Sequence, residues 1–135
     1  MKTFKTLLFF ILLSPFLFGQ NNNQEIRVTL ENPYNTVYSH LYYLQEDSYR
    51  PARAAQTLYA PEKDSLQRVR LAIQLKQILD GKGLYVPVSQ LPRDSNYIDS
   101  TTQKHFFTPF PKDLPQVYLE RVEGKWYYSA ETVEQ

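Results

Sequence analysis

The chain has 135 residues, and its 15 Lys and Arg against 14 Asp and Glu leave a formal net charge of +1, too small to gather nucleic acid or anionic lipid. It has no Cys, which excludes a disulfide framework, a thiol nucleophile and a Cys-ligated metal. The length suits one domain with one core.

Lys2 and Lys5 precede the apolar run Leu7–Phe18, followed by the small residue Gly19 and the polar tract Gln20–Gln24. That order of charged, apolar and small residues predicts a secretory signal peptide over 1–19, and the polar tract predicts a disordered tether over 20–25. The run is interrupted by Pro15 and is short of the about 20 apolar residues that a membrane span needs. No Cys follows Gly19, so a lipid-modified cysteine anchor is excluded.

Residues 26–135 read as a single α+β domain. Ile26, Val28 and Leu30 alternate with polar neighbours, as in a short extended lead-in. Asn32-Pro33 opens a helix: Asn caps well, and Pro is tolerated at the first helical position because its missing N–H would be unpaired there. Tyr34, Val37, Tyr38, Leu41 and Leu44 recur at helical spacing and predict its inner face, with Tyr42 and Tyr43 pointing elsewhere. Pro51 starts a shorter helix with Ala52, Ala55, Leu58 and Tyr59 inward. Pro61 starts a third, with Glu62 and Asp64 in the first turn, where negative charge suits the helix dipole. Leu66, Val69, Leu71, Ala72, Ile73, Leu75, Ile78 and Leu79 leave that helix only a narrow polar stripe, which predicts burial against more than one neighbour. Gly81 and Gly83 end it.

The second half is strand-like. Leu84–Val88 contains Pro87, which lacks a donor, so an edge strand or an irregular segment is expected. Ser89–Ser100 is rich in turn residues, and Phe106–Pro115 holds three prolines without a clear pattern. Val117–Val122 and Lys125–Tyr128 predict a hairpin about Glu123-Gly124, with Trp126 as its core anchor. Ser129 then caps a helix whose first turn is Ala130–Val133, so the domain is expected to have been cut from a longer protein. Helices first and strands second predict three N-terminal helices packed on a small antiparallel sheet with a C-terminal hairpin.

Tests for chemistry return no catalytic, cofactor or metal residue. Gly81-Lys82-Gly83 follows a helix and precedes a strand, the wrong order for a phosphate loop. The two histidines, His40 and His105, lie in unrelated segments without a ligand pattern. No Gly-x-Ser-x-Gly turn surrounds any serine, and Ser129 has sufficient work as an N-cap. Glu46-Asp47 and Glu120/Glu123 fall at turns, where solvated charge is the ordinary outcome. The remaining candidate is Tyr42 with Tyr43 as a contact patch, since exposed tyrosines anchor partners at little entropic cost; the competing role is core and boundary packing.

Several stretches carry a resemblance: Asn32-Pro33-Tyr34-Asn35-Thr36-Val37, Ala54-Ala55, Leu75-Lys76-Gln77-Ile78-Leu79-Asp80, Leu84-Tyr85-Val86, and Val117–Val122 with Trp126–Val133. In these the mature chain resembles the amino-terminal extramembrane domain that precedes the channel part of bacterial mechanosensitive channels of small conductance. In that family a helical link, membrane helices and a cytoplasmic vestibule follow; none is present here, so no pore residue carries over. The resemblance implies a non-enzymatic periplasmic accessory domain, tethered to a membrane channel portion and to neighbouring subunits. The alternative is a free periplasmic small-ligand binder or small enzyme with an α+β cone.

Overall fold

The computed structural model describes residues 27–135, so the expected signal peptide and tether lie outside the described residues. Helix α1 spans Pro33–Tyr42, capped by Asn32, whose side chain accepts from the Asn35 N–H at 2.8 Å. A 3-10 turn, Glu46–Ser48, leads to the short α2, Pro51–Ala54, which continues as a second 3-10 turn, Ala55–Thr57. The long helix α3 runs Ser65–Gly81. It begins later than Pro61 because Asp64 is its cap and not a first-turn residue. The Asp64 carboxylate accepts from the Gln67 N–H, and the Gln67 side chain accepts from the Asp64 N–H, a reciprocal capping box. At the other end Gly83 takes φ +65, its N–H donates to Asp80 O, and the Leu84 N–H reaches back to Leu79 O at 2.9 Å. This pair of bonds closes α3 at Gly83; Gly81, also expected to end the helix in a left-handed conformation, is instead its last helical residue.

Leu84–Val86 forms no strand, and Val88–Gln90 is a 3-10 turn. The sheet is three-stranded and antiparallel in the order β1 (Phe106–Phe107), β2 (Leu119–Val122), β3 (Lys125–Tyr128). Glu123 and Gly124 join β2 to β3 with φ of 51 and 79, the double left-handed geometry that matches strand twist in a two-residue hairpin. The register pairs Leu119 with Tyr128 and Arg121 with Trp126. Residues directly opposite share a face, so this row looks inward. Ser129 caps α4, Ala130–Glu134, by accepting from the Thr132 N–H. The architecture is α+β, as the order of elements predicts.

An unpaired strand edge invites foreign strands, and β3 has none to offer. Its Trp126 N–H donates to Leu30 O at 2.8 Å, and its Tyr128 carbonyl accepts from the Tyr59 N–H at 3.0 Å. Its Trp126 carbonyl accepts the Thr36 hydroxyl at 2.7 Å. The lead-in, α1 and the segment after α2 therefore all attach to one strand.

Three predicted faces are corrected. The inner row of α1 is Pro33, Thr36, Val37, Ser39 and His40, continued by Tyr43 and Leu44, while Tyr34, Tyr38 and Leu41 are half-buried. Thr36 and His40 displace the tyrosines because each finds a buried acceptor on another element, which removes the penalty on burying a polar group. Helix α3 is not buried all round: Ala72, Leu75 and Leu79 face the core, whereas Leu66 and Ile78 are 59% and 44% exposed. In α2 and its turn the inward residues are Ala54, Ala55, Thr57 and Leu58, with Ala52 exposed.

Candidate functional site

The apolar circumference of α3 that the core does not use borders a groove. Leu71, Gln74, Leu75, Gln77 and Ile78 line it from α3, with Lys82 just past the helix end. Leu58 joins them from the segment after α2, Leu114, Gln116 and Val117 from the approach to β2, and Thr132, Val133 and Gln135 from α4. Its volume is about 660 Å³. Aliphatic side chains make most of the lining, amides supply most of the polar groups, and Lys82 has the one charged side chain among the described lining residues. The sequence signal for this groove was the excess of apolar residues around α3. Read as wider burial, it marks instead an apolar flank beside α4.

The wall at α4 is held by one hydroxyl. Thr132 Oγ1 meets Ser129 Oγ at 2.8 Å, accepts the Tyr118 N–H at 3.1 Å and lies 3.1 and 3.2 Å from the carbonyls of Gln116 and Tyr118. The Ser129 N–H adds a bond to Tyr118 O at 2.9 Å.

The tyrosines of α1 are arranged for packing. Tyr34, Tyr38 and Tyr42 stack as a ladder with centroids 5.7 Å apart at each step and rings nearly parallel. The Arg93 guanidinium lies 3.7 Å from the Tyr34 centroid. The ladder thus turns its ring faces toward its own members. Tyr43 is only 2% exposed, edge-on to Tyr42, and its hydroxyl accepts from Arg53 at 3.2 Å. Placed in the core, Tyr43 has no surface for a partner, so Tyr42 and Tyr43 do not form an exposed pair; Tyr42 keeps a half-buried edge. Replacing Tyr43 by Phe is expected to cost about 1.5 kcal/mol, the loss of one long, part-buried hydrogen bond from a charged group, read as a lower denaturant midpoint at unchanged slope.

The polar residues weighed for chemistry are scattered through the scaffold. His40 is fully buried and bonded to Ala72 O, while His105 Nδ1 lies 2.9 Å from Tyr97 O and its ring meets Trp126 edge-on. Burial pushes His40 from 6.5 down to about 4; the Ala72 bond and Asp80 pull it up, and Lys76 pushes it further down. Burial also raises the Tyr128 phenol above its ordinary range. Ser129 is spent on its cap. Glu46, Asp47 and Glu123 are exposed at turns, and Glu120 is half-buried on β2, outside the groove. Among the described residues no three His, Asp or Glu side chains come together to hold a metal ion, and no helix is long and apolar enough to cross a membrane. Comparison with protein-family models, with curated proteins and with solved structures finds no match to this chain.

Proposed function

We propose that the chain is a non-enzymatic, exported accessory domain of a mechanosensitive-channel-like membrane protein, and that it acts by docking. The observation that carries the reading is the groove between α3 and α4. It is open and mostly aliphatic, and none of the described residues that line it has a carboxylate or imidazole side chain. Such a lining offers apolar area and amide hydrogen bonds, which suit binding; among the described lining residues Lys82 has the single titratable side chain, without the partner that paired acid–base turnover uses. The occupant is an apolar helical face of the channel portion. The resemblance places a helical link directly after the element that corresponds to α4, and the groove runs beside that helix.

The test is fractionation of cells that express the full gene, with a photo-cross-linker at the exposed Gln77. Sedimentation with membranes and capture of a segment of a multi-spanning membrane protein support the reading. Recovery of the domain free in the periplasmic extract, with no such capture, overturns it.

A second reading has the groove's size in its favour, since small-molecule sites fall at about 300–1,000 Å³. A free ligand binder is expected to take up a fluorescent apolar dye at one site per chain and to lose it on Ile78→Asp. Ile78 is 44% exposed, so that change tests binding with little effect on the fold.

A further inference from the structure

His40 stands where α1, α3 and β3 meet, and it is completely buried. Its ring is bonded to both other elements: Nε2 to Ala72 O on α3 at 2.9 Å, Nδ1 to the Tyr128 hydroxyl on β3 at 3.4 Å. A carbonyl only accepts, so the neutral ring carries its proton on Nε2 and receives the Tyr128 O–H on Nδ1. The Tyr128 ring adds an edge-on contact at 5.1 Å. Helix α3 packs chiefly on α2 and the turn behind it, which leaves the His40–Ala72 bond as a main polar link from α3 to α1.

We propose that this node is an acid-operated latch: protonating the ring frees α3 from α1 and β3 while the β2–β3 hairpin keeps its pairing. A second N–H then points at the Tyr128 hydroxyl, which must turn to accept it and find a new acceptor for its own proton. The positive charge meets no water in the closed state. Opening at α3 hydrates it.

The charged groups that reach the ring lie on α3, where Lys76 opposes protonation and Asp80 favours it. They are paired with each other at 2.6 Å, so their influences offset. Helix α1 has no Asp, Glu, Lys or Arg, the Tyr128 phenol of β3 stays protonated, and Arg53 of α2 engages Tyr43. Burial is therefore the main force on the ring. The closed state accepts the proton only near pH 4, whereas an exposed imidazole accepts it at 6.5. Between these values the open state binds more protons, so acid drives opening. The closed state is fully favoured above the upper value, and the bias stops growing below the lower one. Because Leu71, Leu75 and Ile78 belong to α3, the latch also holds one wall of the groove.

Hydrogen exchange of the unaltered chain between about pH 7 and pH 5, corrected for intrinsic rates, tests the latch. Amides from Ala72 to Leu79 are expected to lose protection by up to about tenfold per pH unit, with those of β2 and β3 unchanged. His40→Gln, which keeps a donor for Ala72 and does not titrate, is expected to abolish the response. Loss of protection in α3 and the hairpin together, or the same response in the Gln variant, overturns the proposal. Should that variant fail to fold, NMR titration of the unaltered chain decides. A His40 ring that titrates while α3 keeps its protection also overturns it.

Discussion

Trp126→Ala is expected to be the most destabilising of the single changes considered, at a cost of about 4 kcal/mol or more. Trp126 is fully buried on β3, and four parts of the chain converge on it. Its N–H reaches the lead-in at Leu30, its carbonyl receives the Thr36 hydroxyl, its indole N–H donates to Ser95 O at 3.0 Å, and its ring packs against Tyr97 and His105. Removing the indole leaves a cavity under the sheet and strips Ser95 O of its donor, two losses that add. A domain of this size has about 5–15 kcal/mol of stability in all, so a loss of this order removes between roughly a quarter and four-fifths of it and lowers the melting temperature by many degrees. Far-UV circular dichroism against temperature checks it. Trp126→Phe, which refills part of the volume but not the hydrogen bond, is expected to lose about half as much. Equal melting of the Ala and Phe variants would mean that the ring volume is not what holds this face together.

Most of the devices that are local in sequence were legible before the fold was known; the Asp64–Gln67 capping box is the exception, masked by Pro61, which also suits a helix start. Asn32 caps α1, Ser129 caps α4, Gly83 closes α3 and Glu123-Gly124 turns the hairpin, and each requirement is set by neighbours within a few residues. Trp126 was legible as an anchor because it is the single Trp, placed in a short strand. What could not be read was which polar residues would be buried. Thr36 and His40 enter the core because their partners, the Trp126 carbonyl and Ala72 O, arrive from 90 and 32 positions away. Without those partners, hydrophobicity assigns the inner row of α1 to Tyr34 and Tyr38, and the resulting face is rotated. Strand β1 escaped notice for a related reason. Two phenylalanines among prolines make a strand only because Phe106 and Phe107 meet Glu120 and Leu119.

The groove was partly legible. Its apolar residues on α3 were evident, but amphipathicity reports only that a face avoids water and not what covers it. Leu66 and Ile78 show the difference, being apolar yet exposed. The Tyr42 and Tyr43 pair has the converse lesson. Adjacent residues on a helix point about 100° apart, so one of the two was bound to face a different environment. Here that residue is Tyr43, in the core with Arg53 at its hydroxyl.

Thr132→Val is expected to cost about 2–3 kcal/mol and to do so locally, at α4. Helix α4 has five residues, far too few to hold by propensity alone, so its order must come from tertiary bonds. The Thr132 hydroxyl gathers Ser129, the Tyr118 N–H and the carbonyls of Gln116 and Tyr118, which ties the helix to the entry of β2. Val has the same shape without the oxygen, so packing survives while the part-buried N–H of Tyr118 loses its acceptor. Thr132→Ser makes the opposite change, keeping the oxygen and losing a methyl, and is expected to cost about 1 kcal/mol. Denaturant midpoints rank the two variants, and hydrogen exchange places the damage. The Val variant is expected to lose protection from Thr132 to Glu134 and at Tyr118, with β3 unaffected. Since Thr132 and Val133 also line the groove, the same variant should weaken whatever the groove holds, and Thr132→Ser should not. If Ser proves the worse of the two, the methyl and not the hydroxyl is what fixes α4, and this account of the wall is wrong.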